Sequence, residues 1–250
     1  MPPGRLPAPP VKRKGTKRKV FGIVFAALSI FPLLLGGVVV LQAYKNHQIQ
    51  VSNDAFAPVA WHNLKADQIF PDYLGWPRGD EETRAWSRQG IAKEASCNEA
   101  LRKDFAKAVA AKGCKTALRA TYVHIGGDVA ATIALVVLDS SGEAEAVAEE
   151  FSWAKDPGPL VFPVAVPGTL AAKWVKERAL AGGASGVGGD LPYVAAISVG
   201  PADGTRDIGV LPGEWRLDGE EETQGYSNTS DILLRGFAHE LDSTIMGRGQ

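Results

Sequence analysis

The 250 residues are 45% hydrophobic, include six Trp and carry a net charge of −1, a composition that fits a folded chain and excludes a disordered stalk. The charge is unevenly spread: seven of the 27 Lys and Arg (Arg5, Lys12, Arg13, Lys14, Lys17, Arg18 and Lys19) and none of the 28 acids precede residue 20, so the rest of the chain carries −8. Such an acidic body argues against nucleic acid or an anionic membrane surface as its ligand, and it also serves simply to keep a domain soluble.

Residues 1–19 are Pro-rich and then basic, which predicts a disordered tail able to touch anionic headgroups. Val20–Leu41 follows with no charge. A helix over these residues would reach roughly 33 Å, enough for a hydrocarbon core of about 30 Å. The basic flank stays on the cytoplasmic side. We therefore expect residues 20–42 to be a signal anchor contacting the lipid bilayer, with the C-terminal part outside. A cleaved signal peptide would have an apolar region of about 7–15 residues and a small-x-small site; Leu41-Gln42-Ala43 lacks that site. No Cys lies near the run, which excludes a lipoprotein. Pro32 is compatible with a spanning helix. Gly36-Gly37 permits close packing without forming a GxxxG motif. Residues 43–57 read as a polar juxtamembrane linker with Tyr44 at the interface. Residues 58–250 suffice for one extracytoplasmic domain with its own core.

In Pro58–Trp86, apolar residues such as Trp61, Leu64, Phe70 and Trp76 arrive among turn residues. They predict an irregular lead-in packed on the main domain, with a short helical turn near Leu64–Ile69. Ser96 and Glu99 form a capping box. Leu101, Phe105, Ala108 and Val109 then mark one face of a helix that Gly113 ends. Thr116–His124 and Val129–Leu138 flank Gly126-Gly127-Asp128, which predicts a hairpin. Its second strand, nearly all apolar, should be central and covered on both faces. Further along we expect a helix over Gly142–Ala154, an edge strand over Leu160–Val166 and a helix over Thr169–Ala181. A flexible loop at Gly182–Gly189 and strands at Tyr193–Val199 and Asp207–Leu211 follow. Glu214–Asn228 reads as an acidic loop. Thr229 or Ser230 then caps a last helix that turns Leu233, Leu234, Phe237, Leu241 and Ile245 inward. The order predicts an α+β fold: a largely antiparallel sheet with helices on one face, closest to a ferredoxin-like arrangement, preceded by one transmembrane helix.

Two cysteines outside the cell imply a disulfide. Yet Cys97 and Cys114 stand at opposite ends of the expected helix. A straight helix would part them by roughly 25 Å, against the ~7 Å that a disulfide tolerates. Either the first segment folds back or the thiols do not pair; the capping box favours the long helix and the compartment favours the bond.

Candidate chemistry is sparse. Gly182–Gly189 lacks the Lys-Ser/Thr of a P-loop, and Gly183–Val187 lacks the second Gly of a nucleophile elbow. His47, His62, His124 and His239 are scattered, and His239-Glu240 is not followed by the second His of HExxH. His124 reads as a hairpin-end residue with a wet ring. Asp218–Glu222 lacks EF-hand spacing and reads as a solvated charge run. Asn228-Thr229-Ser230 matches a glycosylation sequon. Trp76, Trp86 and Trp215 suit either sugar stacking or a core. The sequence assigns no catalytic, cofactor-binding or metal-binding residue, and no cofactor.

Several segments carry a family resemblance: Asp67–Pro71, Gly90–Ala92, Cys97–Leu101, Gly113-Cys114 with Leu118–Tyr122, and Tyr193 followed by Ala202–Arg206. Over roughly Leu64–Leu211 the chain resembles a group of uncharacterised actinobacterial single-pass membrane proteins. The resemblance implies membrane attachment and an extracytoplasmic domain; it implies no activity and no catalytic residue. The expectation is a membrane-anchored binding or accessory domain, with an envelope protein or the cell wall as partner and no nucleic acid. A membrane-tethered envelope hydrolase and a structural subunit of a membrane complex are the alternatives.

Overall fold

The computed structural model of the protein describes residues 38–48, 50–51, 55–78, 81–202 and 219–247. The chain divides into two compact units, residues 1–51 and 52–250. In the first unit, residues 38–48 and 50–51 are helical. Val38, Val39, Val40, Leu41 and Tyr44 are exposed there. The expected tail at 1–19 and most of the expected anchor at 20–42 lie outside the described residues. Among the described residues no helix is long and apolar enough to cross a membrane.

The second unit is built on strands rich in β-branched and apolar residues. β1 (Tyr73–Arg78), β2 (Glu81–Ile91), β3 (Thr116–His124), β4 (Val129–Val137), β5 (Ala181–Gly186) and β6 (Tyr193–Pro201) form one sheet in the order β1-β2-β3-β4-β6-β5. Every neighbouring pair is antiparallel. The fold is therefore α+β with an antiparallel sheet, as the sequence predicts. The predicted β3–β4 hairpin is present, turning through Gly127 at φ +74°. The six strands and their order depart from the four-stranded ferredoxin-like arrangement. The lead-in supplies β1 and β2 as well as two short helices, α1 (Ala60–Asn63) and α2 (Ala66–Ile69).

Because side chains alternate across a strand, β3, β4 and β6 each serve two cores. One face carries Tyr122, Ile133, Leu135, Tyr193 and Ile197. It packs against the lead-in and Leu233, Leu234, Phe237, Leu241 and Ile245 of the last helix, α6 (Gly219–Gly247). The other face carries Ala117, Ala134, Val136, Val194 and Ala196. It packs against Phe105 and Val109 of α4 (Lys103–Ala111) and Ala144 and Val147 of α5 (Ser141–Glu150). The expectation of helices on one face is thus corrected: the sheet is the middle of three layers. Two apolar faces both need cover, and single-sided helices would leave one wet.

Five local expectations also change. The helix expected to run unbroken to Gly113 is two helices, α3 (Cys97–Ala100) and α4, broken where Leu101 and Arg102 are extended at ψ 152°. Leu160–Val166 makes one isolated bridge, Leu101 with Val161, and otherwise no strand. Thr169–Ala181 is a series of turns with a single 3-10 turn at Lys176–Arg178. Most of the expected loop Gly182–Gly189 is strand: Gly182–Gly186 belongs to β5. Residues 219–228, read as loop, belong to α6, and the strand expected at 207–211 lies outside the described residues.

Candidate functional site

The sheet face under α4 and α5 is crossed by an irregular segment, 160–166, containing Pro163. Beyond the bridge of Val161 to Leu101, backbone groups buried there need partners that no helix or strand supplies. Polar side chains from the middle of otherwise apolar strands supply them. Val161 N–H donates to Ser198 Oγ at 2.8 Å, and that hydroxyl donates back to Val161 C=O at 2.7 Å. The Thr121 hydroxyl donates to Val164 C=O at 2.8 Å. Val164 N–H and Trp174 Nε1 both donate to Thr132 Oγ1, at 3.2 and 2.9 Å. Arg119 Nη1 reaches Phe162 C=O at 3.4 Å. Burial lowers the pKa of the Arg119 guanidinium, and Glu99 opposes that shift.

Beside this segment, Cys97 and Cys114 form a disulfide, with their Cα atoms 6.5 Å apart. The break at Leu101–Arg102 lets α3 fold back so that the thiols meet. The capping box survives on a single turn, with Ser96 N–H donating to Glu99 Oε2 at 3.3 Å. Arg102, Lys103, Phe162, Lys176 and Glu177 line an open pocket of about 400 Å³ at this corner.

A second opening lies at the sheet edge. β5 is held between α5 and α6, and its last residues line a trench with two lobes of about 340 and 430 Å³. Ala144, Ala148 and Gly186 line it with small side chains, while Glu149, Asp231 and Arg235 add charge. Arg235 Nε donates to Asp231 Oδ1 at 2.6 Å.

The opposite face is fixed by buried tyrosines. The Tyr122 hydroxyl donates to Pro71 C=O at 2.9 Å. The Tyr193 hydroxyl donates to Ala57 C=O and accepts from Trp61 N–H. Burial raises the pKa of both phenols. Arg88 pairs with Asp72 and donates to Phe70 C=O. These contacts tie the lead-in to the sheet.

The residues weighed from sequence do not converge. His124 does close the β3–β4 hairpin with a half-exposed ring, and Asp128 Oδ1 lies 3.2 Å from its Nδ1. Burial of Asp128 works against its ionisation, but hydrogen bonds from His124 and from backbone amides outweigh that and lower its pKa. Trp86 is core, 6% exposed. The side chain of Trp76, and Trp215 altogether, lie outside the described residues. Asn228-Thr229-Ser230 sits within α6, where the Thr229 hydroxyl donates to Gly225 C=O. Asp218 lies outside the described residues, as do the side chains of Glu220–Glu222. Among the described residues no group of three or more His, Cys, Asp or Glu could hold a metal ion.

The sequence reading missed Arg102, Lys103 and Lys176 as a group. No sequence spacing relates Arg102-Lys103 to Lys176. No family model, curated protein or solved structure matches the chain.

Proposed function

We propose that the protein is a single-pass membrane protein: residues 20–42 span the bilayer, the basic tail is cytoplasmic, and the body is an extracytoplasmic binding or accessory domain. The observation that carries the location is the Cys97–Cys114 bond, which engages both cysteines of the chain. Disulfides persist in oxidising compartments and are rare in a reducing cytosol. The charge step before Val20 supports the orientation. The binding role is supported by the cationic pocket and the edge trench, each large enough to hold a small ligand or a short side-chain motif.

Two measurements on the full-length protein test this. Protease added to intact protoplasts should remove a C-terminal tag and spare an N-terminal one. Alkylation of the denatured protein should find no free thiol before reduction and two afterwards. Loss of the N-terminal tag alone, or two reactive thiols in protein isolated without reductant, would reject the placement.

A further inference from the structure

We propose that the pocket between Arg102, Lys103, Phe162 and Lys176 is a site for a phosphate-class dianion. This deepens the binding-domain reading and rests on it.

Three of the five lining residues are cations and one, Glu177, is an acid. That balance runs against the rest of the chain, where acids exceed bases, so the pocket is a local positive focus in an acidic body. Its charges are also available. Among the described residues, no ion pair or side-chain hydrogen bond engages Arg102 or Lys103. Lys176 meets only its neighbour Glu177, at 3.6 Å and with both side chains 65% exposed, a contact that competes weakly with a bound dianion. Arg119, outside the lining, reaches Phe162 C=O with Nη1 at 3.4 Å and has Glu99 as its acidic counterpart; its Nε is buried and has no hydrogen-bond partner among the described residues.

The walls are held in place before any ligand arrives. Arg102 N–H donates to Leu160 C=O at 2.8 Å, and Phe162 N–H donates to Ala100 C=O at 2.9 Å. Leu101 bridges Val161 between them, and the disulfide fastens α3 on the far side. Arg102 and Phe162 are therefore fixed relative to each other across a short ladder, although they come from distant parts of the chain. A planar guanidinium flanked by two ammonium groups suits the several oxygens of a phosphate better than a single carboxylate. The Phe162 ring offers an apolar wall for the substituent of a phosphate ester. The same chemistry is presented by a soluble phosphate and by the phosphomonoester headgroup of phosphatidic acid.

The test is equilibrium dialysis of the full-length protein in maltoside micelles, which contain no phosphate, against radiolabelled inorganic phosphate at low ionic strength. We expect saturable binding of one phosphate per chain. Lys176→Ala should weaken it about tenfold, and Lys103→Ala/Lys176→Ala further. Both lysines are exposed, so neither change threatens the fold. Lys65→Ala, on the α6 side of the sheet, should leave binding unchanged. Displacement of the label by phosphatidic acid, a phosphomonoester, in mixed micelles would assign the site to a headgroup; failure to displace it would assign a soluble phosphate. No saturable binding, or equal losses in the Lys65 and Lys176 variants, would overturn the site. Dialysis does not depend on membrane side and protease accessibility does not depend on the pocket, so each reading can fail without the other.

Discussion

Thr132 lies at the centre of β4, fully buried, and every hydrogen-bonding capacity of its hydroxyl is used. A hydroxyl has one proton and two lone pairs. Val164 N–H and Trp174 Nε1 take both lone pairs. Thr121 Oγ1, 3.0 Å away, has already given its own proton to Val164 C=O, so Thr132 must donate to Thr121. The proton positions follow from counting alone. Thr132→Val keeps the shape but leaves two buried donors without an acceptor, each costing about 1–3 kcal/mol. We expect a loss of about 2–6 kcal/mol in chemical denaturation, and a loss of the same order for Thr121→Val, which orphans the Val164 carbonyl and the Thr132 hydroxyl proton. A loss below about 1 kcal/mol for Thr132→Val would mean that Val164 and Trp174 find other partners. A Thr in the run VAATIALVVL signals a buried polar demand. The donors it accepts from, Val164 and Trp174, lie more than thirty residues away and are invisible to any local pattern.

Glycines mark the element that the sequence hides most completely. The Gly-rich run 182–189 suggests flexibility, yet Gly182 is buried within β5. A Cβ there would stand 2.4 Å from Ile197 O and 2.6 Å from Gly158 O. Both are backbone atoms that cannot swing aside, so glycine is required by close approach. Gly186, four residues on in the same strand, would place a Cβ 4.0 Å from the nearest atom, Ala148 Cβ. Gly182→Ala should cost about 1–3 kcal/mol by overpacking, while Gly186→Ala should be neutral or slightly stabilising through the unfolded state. Comparing their thermal midpoints decides the matter: equal, small effects would describe a loop, not a strand. The α3–α4 break escapes periodicity for a related reason. Leu101 and Phe105 both face the core, as they would in a continuous helix, so the apolar pattern does not register the two extended residues between the helices. By contrast, β3, β4 and α5 are readable because propensity, alternation and caps agree, as where Glu143 N–H donates to Ser140 Oγ.

At the scale of the whole domain, the sheet stands between two faces whose main cores share no side chain. The nearly all-apolar β4 already implies burial on both faces, and β6 repeats the pattern; that signal outweighs any one-sided arrangement inferred from element order. Because β4 and β6 feed alternate residues to each side, neither layer can dissolve without exposing strands that the other layer needs. The domain should therefore unfold as one cooperative unit. Phe237 of α6 tests this from one side. It is fully buried and stacks on Phe70 at 5.4 Å, so Phe237→Ala should cost about 3–5 kcal/mol. The informative readout lies across the sheet, where Phe105 of α4 packs edge-on against Phe151 at 5.0 Å. Hydrogen exchange followed by mass spectrometry should show protection falling in step for peptides from α6 and from α4, although no contact of Phe237 reaches the far face. If α4 kept its full protection while α6 lost its own, the two layers would be separable units. The sheet would then be a boundary between cores and not the element that binds them into one.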